Sequence, residues 1–202
     1  EGGAFMSFVG PSGSGKTTLL NLIGGLDVPT TGNIYFKGSN LSSMSRHQMA
    51  SYRRENIGFI FQTYNLLPVY SVYENVLFPL LMNGFKEKDV RGRVMDIVAK
   101  VGLSDQSKKR PSQLSGGQCQ RVAIARALVK DPLIILADEP TANLDSENSL
   151  QILELMLDLN RQYKAAVIFS THDEKVYKYV RRVVKLEDGK IFSDKNNLNK
   201  VS

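Results

Sequence analysis

The run Gly10-Pro11-Ser12-Gly13-Ser14-Gly15-Lys16-Thr17 constrains this chain more than any other feature. It sits between the apolar stretch Phe5–Val9 and the helical apolar spacing of Thr17–Ile23. It matches G-x-x-x-x-G-K-[ST] in full, and the strand–glycine loop–helix context makes that pattern a phosphate-binding loop. The glycines let the backbone curl so that successive N–H groups face phosphate oxygens, and the following helix adds its positive end. Lys16 is placed for the β- and γ-phosphates and the Thr17 hydroxyl for Mg²⁺, with Thr18 beside it in the binding set. About a hundred residues later, Leu114-Ser115-Gly116-Gly117-Gln118 offers a second anion cradle: a hydroxyl, two unobstructed N–H groups and a helix dipole. Ser115 also reads as an ordinary N-cap for a helix through Leu128. Two phosphate-seeking helix starts in one small chain point to a nucleotide held between two copies of it.

Asp138-Glu139 closes the continuous apolar run Leu133–Ala137, the pattern of a strand buried on both faces of a parallel sheet. Ligands of such sheets sit at the carboxyl ends of the strands, which brings both acids to the phosphates. Asp138 is expected to hold Mg²⁺ through water, because Mg²⁺ keeps much of its hydration shell. Glu139 is expected to orient and polarise the attacking water. Gln62 follows the strand Ile57–Phe61, and His172 follows Ala165–Phe169 with Ser170-Thr171, so both project to the same edge. Gln62 is a candidate for Mg²⁺ or water and His172 for the γ-phosphate. Taken alone, each reads more readily as an ordinary strand-end residue than as a functional one. His47, in a polar stretch, reads as a surface residue.

The order of these patterns predicts an α/β fold. Its core is that of a P-loop NTPase, a mostly parallel sheet flanked by helices, with an α-helical subdomain inserted at about residues 65–113. Residues 1–64 and 114–202 make up the core of one domain, 1–202. Tyr73–Met82 and Val90–Val101 carry the helical spacing of the insert, and Ser149–Arg161 is an amphipathic helix of the core. Ile34–Phe36 reads as a short strand before Lys37-Gly38, and Val183–Leu186 with Lys190–Phe192 as a hairpin across Asp188-Gly189. The residues after Asp194 are expected to fray. The chain opens on Glu1, a few residues before a buried strand, so N-terminal antiparallel strands are expected to be missing from it.

Composition narrows the partners. Lysine and arginine total 26 against 20 acids, a net charge of +6 that suits a phosphate ligand, nucleic acid, an anionic membrane face or simply a solvated basic surface. A single cysteine, Cys119, excludes an internal disulfide or a cysteine-based zinc site and points to a reducing compartment. No run approaches the roughly 20 apolar residues that span a bilayer. Any membrane role must therefore come through a partner.

Taken together, these residues resemble the nucleotide-binding domain of ABC transporters along the whole chain. Gly10–Thr17 matches Walker A, Gln62 the Q-loop glutamine and Leu114–Gln118 the signature motif. Leu133–Asp138 with Glu139 matches Walker B and its catalytic glutamate, Ala142-Asn143-Leu144-Asp145 the D-loop, and His172 the switch histidine. The resemblance implies a head-to-tail homodimer or ABC heterodimer that closes on ATP and Mg²⁺, each ATP lying between Walker A of one subunit and the signature of the other. Asp145 joins the nucleotide site in that arrangement. It also implies an integral membrane permease contacted through the segment from Asn65 onward, a location at the cytoplasmic membrane face, and no nucleic acid. Ile57–Gln62, Asn65–Pro68, Glu74–Val76 and Pro79–Leu81 look most like the lipoprotein-releasing, macrolide-export and cell-division group (LolD-, MacB- and FtsE-type). A soluble ABC ATPase acting on ribosomes or nucleic acid, and a regulatory cell-division ATPase, are the alternatives. Ala142 stands where that group usually has glycine, and Cys119 where it has Gln or Glu. The aromatic residue that stacks on adenine in this family lies upstream of the loop, so ATP against GTP is not readable here.

Overall fold

The structure is a computed structural model that describes residues 3–196. In chain order its first half runs β1 (Phe5–Val9), α1 (Lys16–Ile23), β2 (Tyr35–Phe36), β3 (Ser39–Asn40), α2 (Arg46–Asn56), β4 (Ile57–Ile60) and α3 (Val72–Met82). There follow α4 (Glu87–Lys100), α5 (Gly116–Leu128), β5 (Ile134–Ala137), α6 (Ser146–Tyr163), β6 (Ala166–Thr171), β7 (Arg182–Glu187) and β8 (Lys190–Asn196). Six strands form one sheet in the order β4-β5-β6-β1-β7-β8, parallel except for β8, which folds back on β7. The mostly parallel sheet flanked by helices that the sequence predicts is present.

Strand alternation explains why both faces are covered. Ile135 and Ala137 of β5, with Phe5 and Val9 of β1, pack into a core shared with α3 to α6. Ile134 and Leu136, with Phe8 of β1, face the other way into a smaller core with Leu20 of α1. All four β5 residues are buried, so the strand reads as an unbroken apolar run rather than an alternating one. Between β4 and α5 the chain builds α3 and α4, which pack on each other and on α5. Asn75, fully buried in α3, accepts from Leu67 N–H and donates to the Leu67, Tyr70 and Ser71 carbonyls. That pins the approach to the helix.

Both hairpins use the same turn. Lys37-Gly38 and Asp188-Gly189 each place two residues at positive φ, the two-residue geometry whose twist matches flanking strands. α2 is the element that apolar periodicity does not announce, since none of its residues is buried. A capping box between Ser45 and Gln48 starts it, and that S-x-x-Q pair was its readable sign. α6 begins at Ser146 rather than Ser149 because Asp145 caps it. β8 extends through Asn196; the tail beyond lies outside the described residues.

Candidate functional site

Parallel register determines where the site forms. Ile60 pairs with Ala137, Ala137 with Phe169, and Val9 with Thr171. The carboxyl ends of β4, β5, β6 and β1 therefore line up on one edge. Gln62, Asp138-Glu139, His172 and the Gly10–Thr17 loop all leave from that edge.

The loop is shaped by backbone that a side chain would spoil. Gly10, Gly13 and Gly15 have φ of 156°, 80° and 96°, and a Cβ on Gly10 would lie 2.2 Å from the Leu186 carbonyl oxygen. Gly15 starts α1 with no side chain capping the helix. Lys16 is 5% exposed; its ammonium donates to the Gly10 and Pro11 carbonyls at 2.9 Å each and lies 3.8 Å from Glu139 Oε1. The Thr17 hydroxyl donates to Asp138 Oδ2 at 2.9 Å, linking the start of α1 to the end of β5. Ser12 and Thr18 are exposed beside it. Ser14 Oγ is buried, and among the described residues it has no hydrogen-bond partner.

Asp138 and Glu139 are held from the neighbouring strand. Ser170 donates to Asp138 Oδ1 at 2.6 Å and accepts from Glu139 N–H at 2.9 Å. Glu139 has a φ of 44°, a left-handed backbone that non-glycine residues seldom adopt. Its Oε2 lies 3.2 Å from His172 Nδ1. The structure thus brings Lys16, Thr17, Asp138, Glu139 and His172 into one contiguous polar chain.

Gln62 reaches the same edge with an exposed side chain, and its carbonyl accepts from Asn143 Nδ2 at 2.8 Å. Just beyond it Tyr64 and Asn65 both have positive φ, and their carbonyls accept from the Arg126 guanidinium of α5. Apolar periodicity gives no sign of this long-range clamp. Ser115, Gly116, Gly117 and Gln118 form a separate neighbourhood against Tyr64, Asn143, Leu144 and Asn148. Ser115 Oγ accepts from Gln118 N–H, and Gln118 Oε1 accepts from Ser115 N–H, a complete capping box. A Cβ on Gly117 would come within 3.0 Å of Asn148 Oδ1. Asp145 uses its carboxylate as the α6 cap, accepting from Asn148 N–H and Nδ2. The Asn148 backbone N–H above all, and then its side-chain amide, hold the Asp145 carboxyl's pKa below the usual carboxylate range. Burial pushes the Cys119 thiol up, which keeps it protonated and unreactive.

A glycine-curled loop on the carboxyl edge of a parallel sheet, with a lysine and a threonine meeting a strand-end Asp-Glu pair, defines a phosphate-loop NTPase. Comparison with known proteins narrows the class. A model of the ABC transporter family matches residues 1–142. The macrolide export ATP-binding/permease protein MacB of Hyphomonas neptunium is 47% identical over 197 residues, 98% of this chain, which spans 30% of that relative's length. The dimeric post-hydrolysis structure of the ATP-binding cassette MJ0796 with ADP and Pi superposes with a TM-score of 0.88 at 40% identity, covering 97% of this chain and 86% of that one. The structure of cbiO1 from Clostridium perfringens, part of the ABC transporter complex cbiONQ, gives 0.89 at 31% identity, covering 97% and 78%. The chain belongs to the ABC transporter family, as an ATPase domain of the MacB-like kind.

Proposed function

We propose that two copies of this chain, or one copy with an ABC partner, bind two ATP molecules head to tail and hydrolyse them to drive a membrane permease. The observation that carries this reading is the unbroken chain from Lys16 and Thr17 through Asp138 and Glu139 to His172. The loop suits a triphosphate: its glycine backbone is open to oxygens, and the orphaned Ser14 hydroxyl is a donor lacking an acceptor. Gly10 to Thr18 cradle the phosphates, with the Lys16 ammonium turned onto the β- and γ-oxygens. Thr17 and Asp138 supply hard oxygen donors 2.9 Å apart, a set that fits Mg²⁺, with Gln62 completing it. Mg²⁺ held by Thr17, Asp138 and Gln62 would supply positive charge against that developing on the transferred phosphoryl group. Glu139 orients the attacking water, and His172 holds the Glu139 carboxylate and the γ-phosphate.

Ser115, Gly116, Gly117 and Gln118 of one subunit would close on the ATP of the other, with Asp145 at the seam. The dimeric structures of MJ0796 support that arrangement by likeness. Among the described residues no helix is long and apolar enough to cross a membrane. In this reading the permease would be a separate chain or domain, and this one would sit at the membrane's cytoplasmic face. A groove of about 740 Å³ between α3 and α4, lined by Tyr70, Phe78, Leu81, Arg91 and Met95, is where the permease would dock. The relative MacB carries both ATP-binding and permease functions in its name.

Glu139→Gln tests the reading. It should keep ATP binding, lower turnover by about 10²–10⁴-fold, and trap an ATP-dependent dimer visible by light scattering. A variant that turns over near the wild-type rate, or stays monomeric in saturating ATP, removes Glu139 from this role.

A further inference from the structure

Ser170 belongs to none of the phosphate, signature or strand-end motifs, yet it is fully buried in the middle of the polar chain. It lies on β6 one residue past Phe169, whose partner in register is Ala137, so it stands beside Asp138. Its one hydroxyl serves two successive residues: it donates to Asp138 Oδ1 at 2.6 Å and accepts from Glu139 N–H at 2.9 Å. From α1 the Thr17 hydroxyl straddles the carboxylate, 2.9 Å from Asp138 Oδ2 and 3.1 Å from Oδ1. A carboxylate offers about four lone-pair directions, so two donors fix its plane and leave the rest free for a cation's water shell. Left-handed backbone at a residue such as Glu139 persists only where its surroundings over-determine it. The hydrogen bond from Glu139 N–H to Ser170 is one such constraint. Glu139 is thereby aimed along the line that ends at His172.

We propose that Ser170 is a positioning residue of the ATPase reaction, orienting the Asp138 carboxylate toward Mg²⁺ and the Glu139 carboxylate toward water through its single hydroxyl. The proposal rests on the ATPase reading above. Ser170 is fully buried and bonded to Asp138 and Glu139, so its effect runs through them. Outer-layer partners of metal-binding groups are commonly worth about 10–100-fold in metal affinity or activity.

The experiment compares wild type, Ser170→Ala and Ser170→Thr. It reads affinity for a fluorescent ATP analogue in EDTA and across a Mg²⁺ titration, turnover, and thermal midpoint. Ser170→Ala should bind the analogue in EDTA within about twofold of wild type. It should need about tenfold more Mg²⁺ for the Mg²⁺-dependent gain in binding and lose about 10–100-fold in kcat with little change in KM. Ser170→Thr, which keeps the hydroxyl on a β-branched stem suited to a strand, should recover most of both. If Ser170→Ala does not fold, Ser170→Cys, a weaker donor of similar volume, is read the same way. Wild-type Mg²⁺ dependence and kcat in the alanine variant would overturn the proposal. So would losses that track only the thermal midpoint, or equal losses in a folded threonine variant. A wild-type chain with neither turnover nor Mg²⁺-dependent binding would take down the ATPase reading itself, and this proposal with it.

Discussion

The starts of α1 and α5 look alike in sequence, each a glycine-rich turn into a helix, but they are finished differently. At α1 the capping position is Gly15 in left-handed backbone, and no side chain bonds the first helical N–H groups. At α5 Ser115 and Gln118 close a reciprocal capping box. The first helix end is left for an outside anion, and Lys16 stands buried beside it. The second is stable without one and keeps only the Gly116 and Gly117 N–H groups and the Ser115 proton to offer. A motif that reads as one anion cradle repeated is therefore one uncapped helix end, open to the proposed phosphate, and one capped helix that a phosphate would complete.

Lys16→Ala should break the comparison most strongly. Removing charge-assisted bonds worth about 1.5–3 kcal/mol predicts roughly 10–150-fold weaker ATP binding to the isolated monomer, measured by titrating a fluorescent analogue. Unchanged affinity would deny α1 its role. Ser115→Asp separates capping from phosphate binding at α5, because aspartate caps as well as serine but sets a carboxylate where the partner's γ-phosphate would approach. Its unfolding midpoint should match wild type and the monomer should bind ATP normally, while ATP-driven dimerisation in the Glu139→Gln background is lost. Dimers as strong as the parent's would reduce Ser115 to a cap. Ser115→Ala should cost only about 1 kcal/mol of stability, readable by urea unfolding.

A third helix end gives the smallest effect. The Lys130 ammonium donates to the Arg53 and Arg54 carbonyls at the C-terminus of α2, and burial lowers its pKa to about 8. The unfolded chain, with an ordinary lysine near 10.4, holds more protons between those values. This group's contribution to stability therefore rises with pH from about 8 toward 10 and is least below 8. Urea midpoints of wild type minus Lys130→Met should climb over that range, and a flat difference would show that the carbonyl contacts offset the burial.

Legibility followed the range of the interaction. β1, α1, β5 and α5 were visible because apolar runs, glycine turns and capping serines act within a few residues. α2 was hidden because it buries nothing, although its Ser45–Gln48 box lay open to reading. Leu133 was read into β5, but it is 38% exposed and the strand begins at Ile134. Within the candidate site, the residues at strand ends were readable as belonging to one edge. Ser170, Asn143 and Arg126 were not. Each of them acts on backbone or side chains 31 to 81 residues away in the chain.

The sequence by itself determined that this chain carries a glycine-rich strand–loop–helix turn suited to phosphate, with acids and a histidine at the ends of other apolar strands. Those features come from glycine's backbone freedom, helix-end chemistry and two periodicities, all of them local. Only the tertiary structure decided that β1 lies between β6 and β7, that β6 lies beside β5, and hence that one serine hydroxyl ties Asp138 to Glu139. Strand order is set by which apolar faces bury each other across the whole sheet, and no window of neighbouring residues carries that information.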